Sequence, residues 1–339
     1  MKAAYFKEHG GSDRIVYGDY RDPAADAAHA VVRVRACALN QVDMLLLDGR
    51  FPPPEGLPHV NGCEVAGTVE TPAGALKAGQ RVIVFPGFSC GTCEFCLRGE
   101  RTVCLRYGYL GAHKDGGYAE LVRVPAASCL PLADALGFEG AAALPLAFLT
   151  SWHALLAKAE LKPGQTVLVH AAGSGVGSAA IQIARLVGAR VMTTVGSDDK
   201  IEFARGLGAE HVVNYRRQDF VEEAKRWTGK RGVDVVVEHI GGETFERSTY
   251  ALTRLGTLVS IGSHDTHWGR VDLRHVYSKN LRIVGTNLGS IVELRTLLDE
   301  VLAGRLRPVV DRAFPLADAR AAVQYVLDRK NKGKVLLLP

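Results

Sequence analysis

The sequence has no uninterrupted apolar run long enough to cross a bilayer. Its most apolar stretch, residues 141–157, is broken by Pro145, Thr150, Ser151 and His153, and a spanning helix needs about 20 such residues. The opening residues carry no apolar block of the kind a secretory signal requires, so a cytoplasmic location is the expectation. Basic residues are not bunched. Lys and Arg number 41 against 36 Asp and Glu, a surplus too mild and too scattered to imply a nucleic-acid groove. Internal repeats and low-complexity tracts are absent. Methionine is scarce at 3, and Asn and Gln are few. That pattern suits heat tolerance, although base composition would produce it too. Cysteine is limited to 7 residues, an odd number with four of them clustered. This excludes a disulfide framework and points to metal binding in a reducing compartment.

What is present suits a globular protein. The chain has 339 residues, 47% hydrophobic and 23% charged, enough for two domains of about 150 residues each with cores that need no staples. The first third reads as β-rich. Val31–Ala36 alternates, as do 67–70, 80–84 and 118–124, with Gly and Pro between them, which suggests a small barrel-like domain. The texture changes near residue 147. Strands at 166–170, 190–195, 212–213, 233–238 and 256–261 alternate with helical stretches such as 178–187 and 199–207. Strands spaced by helices of this length imply βαβ units and a parallel sheet, to which 281–285 adds an edge. The tail offers helices at 291–303 and 318–327 and a strand at 334–338.

A Gly-rich turn, Ala171-Ala172-Gly173-Ser174-Gly175-Val176-Gly177, follows the 166–170 strand and opens the next helix. Small residues there let backbone N–H groups approach a pyrophosphate at the helix N-terminus. The spacing departs from strict G-x-G-x-x-G, because Ala172 and Ser174 hold the first two glycine places. An NAD site usually has a carboxylate about 20 residues further on, against the ribose 2′-OH. Here the second strand ends in Thr194-Val195-Gly196-Ser197 without an acid. Asp198 and Asp199 follow at a helix start, where they can cap it. Ser197 and Lys200 suit a 2′-phosphate, so NADP(H) is favoured over NAD(H).

Cys90, Cys93, Cys96 and Cys104 follow the spacing C-x2-C-x2-C-x7-C. Four thiolates can surround one tetrahedral zinc and leave no open position, so this zinc is expected to be structural. An iron–sulfur cluster suits the long last gap less well.

With these motifs go Gly62-Cys-Glu-Val-Ala-Gly67, Gly117-Tyr-Ala-Glu120, Leu144-Pro-Leu-Ala-Phe-Leu-Thr-Ser-Trp152, Asn214-Tyr215 and Gly333-Lys-Val335. Over nearly its whole length the chain resembles the medium-chain dehydrogenases/reductases, the superfamily of zinc-type alcohol dehydrogenases and quinone oxidoreductases. The resemblance implies an α/β protein: a GroES-like β-rich catalytic domain over residues 1–146, with the zinc lobe at about 88–106, a Rossmann doubly wound parallel-sheet domain over 147–285, and a return of the chain to the catalytic domain over 286–339. It also implies a cleft between domains, a small-molecule substrate, no nucleic-acid or membrane partner, and a homodimer or homotetramer joined through the Rossmann sheets. Relatives without the ribose carboxylate use residues matching Lys200 and Tyr215 for the 2′-phosphate. Further cofactor contacts are implied at Ile240, Ile261, Gly262, Asn287 and Lys334.

The sequence departs from the alcohol dehydrogenase pattern where the catalytic zinc would bind. Asn40 stands at the first ligand place, Cys63 at the histidine place and Leu146 at the third. Asn and Leu do not replace thiolates on zinc, and Cys63 with Glu64 are too few, so the catalytic zinc is expected to be absent. Cys37 is expected to point elsewhere along its strand. Without that Lewis acid, hydride transfer to an activated C=C or a quinone is less demanding than reduction of a simple ketone, because the acceptor delocalises the incoming charge onto its own oxygen. Asn40 and Asp43 resemble the zinc-free quinone reductase branch. The candidate catalytic residues are Asn40, Asp43, Cys63 and Glu64. Asn40 is equally readable as a strand-end turn residue, and Cys63 as a small buried filler. His264, Asp265, His267 and Trp268 follow a strand end as possible substrate contacts, with an ordinary exposed loop the more ordinary reading. His239 is placed near the adenosine ribose. The leading expectation is an NADPH-dependent quinone, enone or enoyl reductase without catalytic zinc. Its rivals are an NAD(P)-dependent alcohol dehydrogenase with an unorthodox zinc site, and a non-catalytic dinucleotide-binding protein.

Overall fold

The computed structural model describes all residues, 1–339. They form two compact units, one of 1–146, 290–302 and 308–339, the other of 147–289 and 303–307. The return to the first unit thus begins at 290, and a short piece of it packs with the second. Gln182 explains this: its side-chain amide donates to the Arg307 carbonyl and accepts from the Arg307 N–H, each at 3.0 Å.

The first unit opens with the antiparallel pair β1 (Lys2–Phe6) and β2 (Ile15–Asp19). There follow β3 (His29–Ala38), β4 (Glu64–Thr71), β5 (Arg81–Val84), the short pair β6 (Gly87–Phe88) and β7 (Gly108–Tyr109), β8 (Leu121–Pro125) and β9 (Cys129–Pro131). The helix Gln41–Leu47 sits directly after β3, an element the periodicity of the sequence did not announce.

The second unit holds β10 (Thr166–Val169), β11 (Arg190–Val195), β12 (His211–Asn214), β13 (Val233–Glu238), β14 (Leu252–Ser260), a short β15 (Thr266–Gly269) and β16 (Arg282–Gly285). Six of these form an all-parallel sheet in the order β12-β11-β10-β13-β14-β16. The central strands are buried along nearly their whole length. That is why they read as Val-rich runs and not as alternation. Their core gathers Leu168, Met192, Val213, Val236 and Leu258.

The chain then adds β17 (Val310–Pro315) and β18 (Lys334–Leu338) to the first unit. Its main sheet runs β17-β18-β3-β4-β5-β9, with β8 also paired to β3. Pairing of Leu337 with Cys37 and of Leu336 with Ala38 sets the C-terminal strand beside β3. This register carries Lys334 to the end of β3 where Leu39 and Asn40 lie. Phe6, Val34, Leu46, Val65, Val122 and Leu337 fill the core. No helix is long and apolar enough to cross a membrane.

Candidate functional site

In the second unit, strand order reverses at β10: β11 and β12 lie to one side, β13, β14 and β16 to the other. A crevice at the carboxyl ends of the strands forms at such a point. The Gly-rich turn leaves β10 here. Ala171 takes a left-handed φ of 53°, and its N–H donates to Thr194 Oγ1 at 3.0 Å. Ser174 caps the helix Gly175–Leu186, its Oγ accepting from the Gly177 N–H at 2.9 Å. A Cβ at Gly177 would collide with the Ala171 carbonyl oxygen, so only glycine allows this turn to close on its strand. The N–H groups of Gly175 and Val176 belong to a first helical turn, which has no intrahelical acceptors for them. They are suited to an anion. The turn fits a dinucleotide pyrophosphate.

The other expected cofactor contacts of this unit lie along the same edge. Ser197 follows β11, Tyr215 follows β12, Ile240 follows β13, Ile261 and Gly262 follow β14, and Asn287 lies just past β16. The buried Glu238 carboxylate shapes this edge by accepting from the N–H groups of Ile240 at 2.9 Å and Gly241 at 3.2 Å. Lys334 belongs to the first unit and is described with the residues it touches.

Three histidines sit at this end of the sheet. His170 meets Thr194 Oγ1 at 3.3 Å and Ser248 Oγ at 2.8 Å, and burial pushes it down to about 4. His239 is buried, with neither ring nitrogen hydrogen-bonded, and burial holds it well below the usual histidine range. Its ring lies edge-on to His264 at 5.2 Å. Residues 266–269 are not a plain loop. They form β15, bridged to Gly241 and Gly242, with Trp268 75% exposed.

Asp198 does not cap the helix that follows. The cap position is Ser197, without a side-chain cap bond. The Asp198 carboxylate instead reaches across to Asn214 and Arg217.

In the first unit, the sulfur atoms of Cys90, Cys93, Cys96 and Cys104 all lie within 4.8 Å of one another. The sulfurs of Cys90 and Cys104 are 3.4 Å apart, those of Cys93 and Cys104 3.8 Å, and those of Cys90 and Cys96 3.9 Å. Sulfurs at about 2.3 Å from a tetrahedral zinc stand about 3.8 Å apart. Backbone N–H groups of Cys90 and Arg106 donate to Cys104 Sγ, and that of Cys93 to Cys90 Sγ, each at 3.3 Å. Such donors favour thiolates. The cluster fits one structural zinc.

Asn40, Asp43, Cys63 and Glu64 are brought together, all buried. Asn40 lies two residues past β3 and caps the helix Gln41–Leu47, and the Asp43 carboxylate reaches back to the Asn40 N–H at 2.8 Å, one half of a capping box. Tyr118 Oη donates to the same oxygen at 2.6 Å. Burial outweighs these donors and raises Asp43 to about 6. The Asn40 amide group donates to Glu64 Oε2 at 3.0 Å, to the Ala38 carbonyl at 3.2 Å and towards Cys63 Sγ at 3.5 Å. Lys334 completes the group. Its ammonium donates to Glu64 Oε2, Asn40 Oδ1 and the Leu39 carbonyl, each at 2.6 Å. Leu146 contributes only its N–H, which donates to Glu64 Oε1 at 2.6 Å.

These residues do not fit a second zinc. Asn40 presents amide hydrogens to Glu64, the Leu146 side chain has no ligand atom, the Lys334 ammonium is bonded to the Glu64 carboxylate, and the Asp43 carboxylate is engaged by Tyr118 and the Asn40 N–H. Burial holds the Cys63 thiol well above the usual cysteine range. In the sequence, Lys334 stands out only through the family resemblance. The signal that could have tied it to Glu64 is the lone lysine opening an otherwise apolar strand, Lys334–Leu338.

Fold and site together define an NAD(P)-dependent oxidoreductase. Residues 175–303 match the family model described as zinc-binding dehydrogenase, and residues 26–134 the alcohol dehydrogenase GroES-like domain. A zinc-type alcohol dehydrogenase-like protein of Schizosaccharomyces pombe is 31% identical, over 97% of this chain and 96% of its own. The quinone oxidoreductase of Pongo abelii is 28% identical, over 100% and 98%. Among solved structures, one titled NAD-dependent alcohol dehydrogenase superposes with a TM-score of 0.95 at 40% identity, over the full length of both chains. A cobalt- and zinc-bound thermostable alcohol dehydrogenase from Pyrobaculum aerophilum gives 0.90 at 29% identity, over 100% of this chain and 99% of that one. The chain belongs to the medium-chain dehydrogenase/reductase superfamily, which holds both zinc-type alcohol dehydrogenases and quinone oxidoreductases.

Proposed function

We propose that this protein is an NADPH-dependent reductase of activated C=C bonds or quinones that works without a catalytic zinc. The observation that carries the reading is the closed group of Lys334, Glu64 and Asn40, in which a protein cation and an amide hold the carboxylate that a metal would need. Glu64 and Cys63 alone are too few ligands for zinc. An enone, an enoyl thioester or a quinone carries its own electron sink, so its reduction makes the weakest demand on a Lewis acid.

When bound, the nicotinamide supplies the hydride. The chain holds the dinucleotide through the 172–177 turn and through Ser197, Lys200, Tyr215, Ile240, Ile261, Gly262 and Asn287. The preference for NADPH rests on Val195 at the end of β11, where an NAD site has an acid, and on the hydroxyl and ammonium groups of Ser197, Tyr215 and Lys200. Asn40 has both amide hydrogens committed to Glu64 and Ala38, and Lys334 all three of its own. Both are therefore positioning residues. They fix Glu64, Cys63 and the start of the Gln41–Leu47 helix, and they donate no hydrogen bond to the acceptor's oxygen. A homodimer or homotetramer through the Rossmann sheets belongs to the same reading. β16 is the sheet's edge, with Ile283 39% exposed.

A second reading, an alcohol dehydrogenase with an unorthodox zinc site, is favoured by the 40% identity to a structure with that title and by the adjacency of Cys63 and Glu64. Elemental analysis of dialysed protein separates the two. One zinc per chain, with NADPH-driven turnover of enones or quinones, supports the reductase. Two zinc per chain with alcohol oxidation overturns it. Dinucleotide binding without turnover across both substrate classes would make the protein a non-catalytic binder.

A further inference from the structure

We propose that Asn214, assisted by Arg217, sets the choice between the two dinucleotides by holding the Asp198 carboxylate away from the ribose 2′ position. The inference rests on the NADPH reading above and concerns how the chain enforces it.

A carboxylate beside the ribose accepts from a 2′-OH and repels a 2′-phosphate. Asp198 lies three residues beyond the end of β11 and is the first acid after the Val195 position. Both its oxygens are tied. Oδ1 accepts from Asn214 Nδ2 at 2.6 Å, and Oδ2 pairs with Arg217 at 2.6 Å. The orientation of Asn214 is itself fixed, because its Oδ1 accepts from the Arg216 N–H at 3.1 Å. Its NH2 group must therefore face Asp198.

The two ties differ in strength. Asn214 is 5% exposed, so the donor's end of this bond is fixed inside the protein although the Asp198 side chain is 47% exposed, and the bond goes to a charged oxygen. The Arg217 side chain is 72% exposed, and an exposed pair contributes little. Asn214 is the main restraint. With Asp198 turned towards β12, the corner is left to Ser197, Lys200 and Tyr215. Tyr215 lies close over the loop, and a Cβ at Gly196 would be 2.7 Å from its hydroxyl.

The test uses 2′,5′-ADP and 5′-AMP as probes of the ribose corner, with dissociation constants measured by calorimetry on the full-length protein. Wild type is expected to favour 2′,5′-ADP. Asn214→Asp keeps the acceptor for Arg216 but sets a carboxylate against Asp198, and it should lower that preference by about ten-fold or more. Asn214→Ser should move it the same way by less. Arg217→Ala should change it by less than about five-fold. Adding Asp198→Ala to Asn214→Asp should bring the preference back to within about two-fold of wild type. Circular dichroism checks that each variant folds. The proposal is overturned if Asn214→Asp and Asn214→Ser leave the wild-type preference unchanged. It is also overturned if Asp198→Ala fails to restore it, since the new charge at 214 would then explain the loss. A wild type that does not favour 2′,5′-ADP overturns the NADPH reading itself, and the proposal with it.

Discussion

The Lys334 ammonium lies 2.6 Å from Glu64 Oε2, with the two side chains 4% and 0% exposed. It joins the C-terminal strand to the start of β4 across 270 positions of sequence. All three ammonium hydrogens have acceptors, so the pair meets the condition under which a buried charge is tolerated.

Removing one partner should therefore be costly. Lys334→Met removes the cation from the buried Glu64 carboxylate, which keeps its Asn40 and Leu146 donors but no opposite charge, and stability should fall by about 3–5 kcal/mol. Adding Glu64→Gln should recover much of that loss. Urea unfolding of the two variants checks this. Equal losses in both would show that Lys334 acts through packing and not through charge.

Burial raises Asp43 to about 6, whereas an unfolded aspartate titrates near ~3.9. The folded chain thus binds this proton more tightly than the unfolded chain. The stability it contributes is present below pH ~4 and is lost as pH rises from ~4 through ~6, by about 3 kcal/mol. Asp43→Asn keeps the acceptor for Tyr118 and Asn40 and removes the titration. Thermal midpoints at pH 4.5 and 7 should converge more in the variant than in wild type. An unchanged pH dependence would show that Asp43 titrates normally.

Cys104 accepts two backbone N–H bonds and touches two other cysteine sulfurs. Cys104→Ser should drop bound zinc from one per chain to none and loosen residues 88–106. Elemental analysis reads the first effect and limited proteolysis the second. Full zinc retention would move the metal elsewhere.

Gly177→Val should abolish dinucleotide binding, because any side chain there strikes the Ala171 carbonyl and forces the turn open. Quenching of protein fluorescence on titration with NADPH measures it. An affinity within two-fold of wild type would mean that the turn does not hold the pyrophosphate.

Much of this was legible in the sequence because the relevant physics is local. Four cysteines within one short loop must place their sulfurs near one another. A Gly-rich stretch between a Val-rich strand and an amphipathic helix must form a tight turn, because no other residues let the backbone approach so closely. The parallel sheet followed from strands spaced by helices. The helix Gln41–Leu47 was missed because its signal is a capping box, Asn40 with Asp43, in a segment otherwise read as a turn. The strand β15 was missed because its residues are mostly exposed and show no hydrophobic period.

The sequence by itself determined the class of protein, the zinc lobe, the dinucleotide turn and the absence of the usual catalytic zinc ligands, since each depends on residue type at short spacing. Tertiary structure alone decided which cation the buried Glu64 carboxylate pairs with. Only sheet register brings residue 334 beside residue 64, and no pattern along the chain encodes a pairing at that distance. It also decided the fate of Asp198. A carboxylate near a helix start is written in the sequence as a cap, and only the position of β12 beside β11 turns it towards Asn214.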